Sequence, residues 1–139
     1  MLDARLEADG DRPAVEQLRA QNRTALASLK GGERYAATLP SVLVDDPIVL
    51  VGTIGAAVVG YAVMRLDDEI AVLDELYVEP EARHVGVGHR LIELAIATAS
   101  ERGCRWIESV ALPGDRHTKN FFEAHGMVSR LLRVSRPLR

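Results

Sequence analysis

The sequence predicts an α/β domain whose first half is a largely antiparallel sheet, and three observations lead there. Three Val-rich runs, Ile48–Thr53, Ala57–Leu66 and Ile70–Val78, follow one another with only turn-length breaks. Two other stretches, 12–29 and 87–101, repeat their apolar residues at helical spacing instead. The hydrophobic fraction of 47% beside 27% charged residues is that of a globular chain. At 139 residues it fits a single domain, 1–139, with one core resting on aliphatic side chains because aromatics are only 4%.

The elements follow in order. Leu2–Glu7 reads as a short first strand. Asp11 stands where it can cap a helix over 12–29, and Pro13 falls in the first turn, where its missing N–H costs nothing. Val15, Leu18, Ala25, Leu26 and Leu29 form the apolar stripe, and Gly31-Gly32 ends it. Residues 33–47 leave a short helix and a Pro40-to-Pro47 loop both open. Gly52 and Gly55 mark a hairpin between the first two Val-rich runs, and Asp67-Asp68-Glu69 marks the next turn. The run Ile70–Val78 is apolar on both alternating faces, which predicts a central strand covered on both sides. Val87, Leu91, Leu94, Ala95 and Thr98 then line one face of a helix stopped by Gly103. Cys104–Leu112 reads as a strand with Trp106 in the core. Asp115 can cap a last helix through His125, with Gly126 as its C-cap, and Met127–Val134 reads as a final strand.

Composition excludes several function classes. A net charge of -3, from 17 basic against 20 acidic residues, gives no basic face for nucleic acid, and Arg130, Arg133, Arg136 and Arg139 read as a solvated edge. The single cysteine, Cys104, forms no internal disulfide, reads as a buried structural thiol and fits a reducing compartment. Met1–Gly10 carries acidic residues rather than a signal-peptide pattern, and no apolar run approaches the ~18 residues of a membrane span. A cytoplasmic location with no membrane partner is the expectation. No His, Cys or Asp spacing suggests a metal site, so no metal is expected.

Gly86 and Gly88 stand between the both-faced strand and the long helix. The first turn of a helix has unpaired N–H groups and a partial positive charge, and absent side chains let a phosphate approach them. The two glycines equally suit a tight strand-to-helix turn with no ligand. A P-loop is excluded, since no G-x-x-x-x-G-K-[ST] occurs. The dinucleotide fingerprint fails because Leu91 stands where its third glycine belongs.

The segment from Leu76 through Val78, Pro80, Arg83, Gly86 and Gly88 to Ile92 closely resembles the acetyl-CoA motif of the GNAT N-acetyltransferase superfamily. Asn120-Phe121-Phe122-Glu123-Ala124-His125-Gly126-Met127 is similar to that family's F-Y-x-x-x-G-F segment, and the element order fits along essentially the whole chain. The resemblance implies a mixed, mostly antiparallel central sheet flanked by helices on both faces. It implies acetyl-CoA as co-substrate, its pyrophosphate held by backbone N–H groups of His84, Val85, Gly86, Val87, Gly88 and His89, with Arg83 leading the loop. The pantetheine arm would pair with Leu76, Tyr77 and Val78 as an added strand, and the Val78 N–H would face the thioester oxygen. The acceptor would be an amine on a small molecule or peptide. The family often forms dimers, so a homodimer is open.

Acyl transfer to an amine needs a proton acceptor. Asp74 and Glu75 interrupt a strand where unpaired carboxylates are costly. Glu75, sharing strand parity with Tyr77, is the first candidate base and Glu108 the second; a bulge in the strand would scramble that parity. The resemblance fails at two positions. Phe122 stands where the family carries a tyrosine that protonates the departing thiolate, and it has no proton to give. It is expected instead to pack beside the thioester end of CoA, with water or His117 as a substitute donor. Asp115 stands where the family carries an asparagine, and capping is its expected role. The alternative function is an acyl-CoA-binding sensor or interaction module without catalysis.

Overall fold

A computed structural model describes residues 1–139. The elements are β1 (Leu2–Leu6), α1 (Arg12–Ala27), α2 (Gly32–Thr38), β2 (Ile48–Ile54), β3 (Ala57–Asp67), β4 (Ile70–Val78), α3 (Val87–Glu101), β5 (Trp106–Glu108) and α4 (Arg116–Ala124). A 3-10 turn at Pro80–Ala82 leads into α3. The strands form one sheet in the order β1-β2-β3-β4-β5. All neighbours are antiparallel except β4 and β5, which run parallel.

Helices cover both faces, as the sequence predicts. On one face Leu91, Ile92 and Ala95 of α3 and Phe122 of α4 pack on Leu50, Ala62, Met64 and Leu73. On the other, Val15 and Leu18 of α1 pack on Val49, Val51, Tyr61, Val63 and Tyr77. Gly52 makes the first contact possible, because a Cβ there would lie 2.5 Å from Val87 Cγ1. No helix is long and apolar enough to cross a membrane.

The register of β4 carries the main irregularity. Val63 pairs with Glu75 and Met64 with Leu73, so Asp74 is left as the extra residue of a bulge. The bulge inverts the strand's faces: Ala71 and Leu73 pack toward α3, then Tyr77 packs toward α1 while Leu76 and Val78 turn back toward α3. This is how a run apolar on both sides serves two cores.

Four expectations need correction. The strand over Cys104–Leu112 shrinks to Trp106–Glu108, because the bulge bends β4 away and only three residue pairs form. Trp106 is 63% exposed on that short strand and is not a core residue. Met127–Val134 forms no strand: a ladder needs a partner edge, and residues 128–139 are exposed throughout. Asp11 sits at the N-cap of α1 without a side-chain cap bond, its carboxylate instead accepting from Arg5 Nη1 at 2.6 Å and the Ala8 N–H at 2.7 Å.

Candidate active site

β4 and β5 stay paired only from Ile70–Trp106 to Val72–Glu108 and then part. Ser109 Oγ closes the fork by donating to the Leu73 carbonyl at 2.8 Å. Beyond it opens a cleft of about 920 Å³, with residues 74–78 on one wall and 109–112 on the other. That size lies within the range of small-molecule and cofactor pockets. One end is formed by α1 and by Tyr35 of α2, the other by the turn before α3 and by α4. The Glu79 N–H bonds inward to the Val59 carbonyl. Antiparallel alternation therefore turns the N–H and C=O of Val78 outward, toward the cleft. Arg83 Nε takes that carbonyl at 2.8 Å, and its guanidinium lies 5.3 Å from the centre of the Tyr77 ring.

The turn before α3 offers free donors. Gly86 is the N-cap, at φ +104°, and no side chain caps the helix. The N–H groups of the first turn are thus open to a ligand. His84 is also left-handed, at φ +67°; such alternations shape anion-binding backbone concavities. Gly88 keeps the approach bare: a Cβ there would already touch Phe121 at 3.4 Å. Arg83, His84, Gly86, Gly88 and His89 line the cleft with Leu76, Tyr77, Val78 and Phe122. Val85 is exposed, and the Val87 side chain is buried in the core, so those two can contribute only backbone to a ligand in the cleft. Phe122 is 8% exposed and meets Phe121 edge-on. His117 approaches His84, ring centres 5.8 Å apart. His89 Nδ1 meets His125 Nε2 at 2.7 Å, tying the start of α3 to the end of α4; burial and His89 lower the His125 pKa.

The acids divide sharply. Glu75 is 4% exposed and lines the cleft floor, but its carboxylate is occupied. Arg19 Nε and Nη2 donate to it at 3.1 and 2.9 Å, and the Tyr61 hydroxyl donates at 2.7 Å. Tyr61 in turn accepts from Asn22 at 3.0 Å. Asp74, beside it on the bulge, also lines the cleft and bonds only Arg65 Nε, at 3.0 Å. Burial raises its pKa, Arg65 opposes this, and the charge of Glu75 adds to it. Tyr35, whose hydroxyl donates to the Asp74 carbonyl at 3.4 Å, is raised by burial and by both acids. Glu108 is exposed on β5 and stands outside the cleft lining. Asp115 accepts from the Thr118 N–H at 3.1 Å and so caps α4.

Sequence reasoning missed Tyr35, Ser109 and the Arg19–Asn22 pair. The last two fall on the Val15–Leu18 stripe but are polar, so periodicity counts them outward. A charged residue on a both-faced apolar strand was the available signal that a buried partner must exist.

Residues 14–127 match the family model described as the acetyltransferase (GNAT) family. The chain belongs to this family of acetyltransferases. No curated protein matches it. Among solved structures it is similar to a tetramutant of the BH1408 protein from Bacillus halodurans, at 20% identity and TM-score 0.76, covering 97% of this chain and 99% of that one. The aminoglycoside N-acetyltransferase AAC(6')-Iy in complex with CoA matches at 19% identity and TM-score 0.71, over 98% and 95% of the two chains. An aminoglycoside acetyltransferase, meta-AAC0020, from an uncultured soil metagenomic sample and in complex with sisomicin, matches at 17% and TM-score 0.73, over 99% and 97%.

Proposed function

We propose that the chain is an N-acetyltransferase that moves the acetyl group of acetyl-CoA to an amine by direct attack in a ternary complex. The observation that carries this is the single cleft joining the uncapped start of α3 to the acid-bearing bulge of β4. The backbone of residues 84–89 fits a pyrophosphate, because its donors are free and Gly86 and Gly88 leave them accessible. The outward edge of β4 offers strand-like pairing to the pantetheine amides.

The chemistry then follows from position. The neutral amine attacks the thioester carbon, and the developing oxyanion is met by the outward Val78 N–H. The amine proton passes to Asp74, directly or through one water. Collapse breaks the C–S bond, and the thiolate takes its proton from water or from His117, which lines the cleft. Glu75 and Glu108 suit the base role less well: the first is held by Arg19 and Tyr61, the second lies outside the cleft. Asp74, the carboxylate left accessible at the acceptor end, favours a cationic amine, the class to which the aminoglycoside ligands of similar structures belong.

The test is thiol release from acetyl-CoA across polyamines, amino acids, aminoglycosides and peptides. Turnover with at least one amine is expected; tight CoA binding with no turnover on any acceptor would sink catalysis. Phe122 favours that second reading, an acyl-CoA sensor, because it places an apolar ring where the family supplies a phenol. Phe122→Tyr separates the two. A rate gain on the order of tenfold or more marks chemistry that lacked its acid, and a persistent zero marks a binder.

A further inference from the structure

Arg19 is wholly withdrawn from solvent, at 0% exposure, and no step above uses it. Its guanidinium spans three parts of the fold. Besides the two bonds to Glu75, Nη2 donates to the Pro40 carbonyl at 2.7 Å and Nη1 to the Ser41 carbonyl at 3.4 Å, with Glu16 at 3.3 Å. No buried side-chain polar atom is left without a partner. Burial opposes the charge of Arg19, and Glu75, with smaller help from Glu16 and Tyr61, more than restores it. A buried ion pair of this kind adds little stability over well-packed apolar side chains of similar volume. Its retention calls for another explanation, and β4 supplies one.

A strand is held in register by the side chains that must face inward, and a slip of one residue exchanges its faces. In β4 that signal is weak, since Ile70, Ala71, Val72 and Leu73 before the bulge and Leu76, Tyr77 and Val78 after it suit either face. Apolar pattern alone would let the bulge migrate along the strand, and each migration would turn a different set of backbone groups into the cleft. Glu75 is the residue directly after the bulge, and its bidentate bond to a planar guanidinium tolerates neither rotation nor slip.

We propose that Arg19 and Glu75 are positioning residues: their buried pair pins the bulge at Asp74, so that the outer edge of Leu76–Val78 faces the cleft. The same guanidinium fastens the chain leaving α2, and thereby holds Tyr35 against the Asp74 carbonyl. The inference rests on the proposed acetyltransferase reading for the purpose of that edge, and on the geometry alone for its pinning.

The experiment compares the wild-type chain with the double variant Arg19→Met/Glu75→Leu, which removes both charges together, and with Arg19→Lys, which keeps the charge but loses the fork. Three quantities are read: thermal midpoint, amide hydrogen exchange along residues 73–78, and CoA affinity by calorimetry. The double variant leaves the buried Tyr61 hydroxyl without its acceptor and is expected to melt a few degrees lower. Beyond that it should exchange faster at Leu76–Val78 than along the rest of the sheet, and bind CoA on the order of tenfold more weakly or worse, since small displacements at a site are costly. Arg19→Lys is expected to shift exchange and affinity the same way by less. Wild-type exchange and wild-type CoA affinity in both variants would overturn the proposal. Should the double variant not fold, Arg19→Lys decides by the same criteria. Should the wild-type chain itself not bind CoA, the acetyltransferase reading falls, while the exchange pattern still decides the pinning.

Discussion

Asp74 and Glu75 are neighbours in sequence with opposite environments, and the difference sets what each can do. Arg19 and Tyr61 hold the Glu75 carboxylate from below, whereas Asp74 meets only a half-exposed arginine. Asp74→Asn should lower kcat by about two to four powers of ten, the usual range for a lost general base. Because burial raises its pKa, the acid limb of kcat/KM should lie above the ordinary carboxylate range near ~3.9. Arg65 opposes that rise, so Arg65→Ala should move the limb further up in a pH–rate profile. The stability sign is the reverse of a salt-bridged acid. The folded state binds this proton more tightly than the unfolded one, so ionising Asp74 costs stability at neutral pH; the cost fades as pH falls through the folded pKa and is gone below the unfolded one. Asp74→Asn should therefore melt no lower than wild type at pH 7, and a large drop would remove Asp74 from this role. Gly88 gives the matching test at the other end. A methyl there would meet Phe121 at ordinary contact distance, so Gly88→Ala should fold normally while weakening CoA on the order of tenfold in calorimetry. Both acids were visible in the sequence as interruptions of an apolar strand. Which one is free was not, because that depends on Arg19, 56 positions from Glu75 along the chain.

At the level of elements, periodicity succeeded where one face is buried and failed where none is. The boundaries of β4 come out as Ile70–Val78, and those of α3 as Val87–Glu101, because apolar spacing, Pro80 and Gly103 all act locally. β5 came out six residues too long, being nine in the sequence reading and three in the structure. Its length is set by a bulge in its neighbour, which no property of its own residues encodes. The fork that results opens the candidate site, so the cleft itself was legible only through the family resemblance. α4 carries His117, Phe121 and Phe122 into it and is only nine residues long. A helix so short depends on its ends. Asp115 supplies the cap to Thr118, and Asp115→Ala should cost about 1 kcal/mol, read as a fall of a few degrees in the thermal midpoint. An unchanged midpoint would mean that packing of Phe122 alone fixes α4.

For the molecule as a whole, the two cores meet only through the sheet, and the C-terminal stretch belongs to neither. Leu131, Leu132, Val134 and Leu138 are 82% to 91% exposed, although the apolar run Met127–Val134 reads as a strand in the sequence. The pattern is real as propensity, yet a strand is stabilised by cross-strand pairs and burial rather than by its own residues. β5 presents only three residues of edge, the first of them the exposed Trp106, and the following chain does not pair with it. Met127 is the last residue tied in, its side chain against the α3 core and its N–H on the Phe122 carbonyl at 3.0 Å. Removal of residues 129–139 should therefore leave both the thermal midpoint and CoA affinity at wild-type values, since no buried surface and no cleft residue is lost. Scanning calorimetry and CoA titration on the truncated chain check this directly. A midpoint lowered by more than a few degrees would show that these apolar side chains do bury themselves in solution, and the sheet would then extend beyond β5.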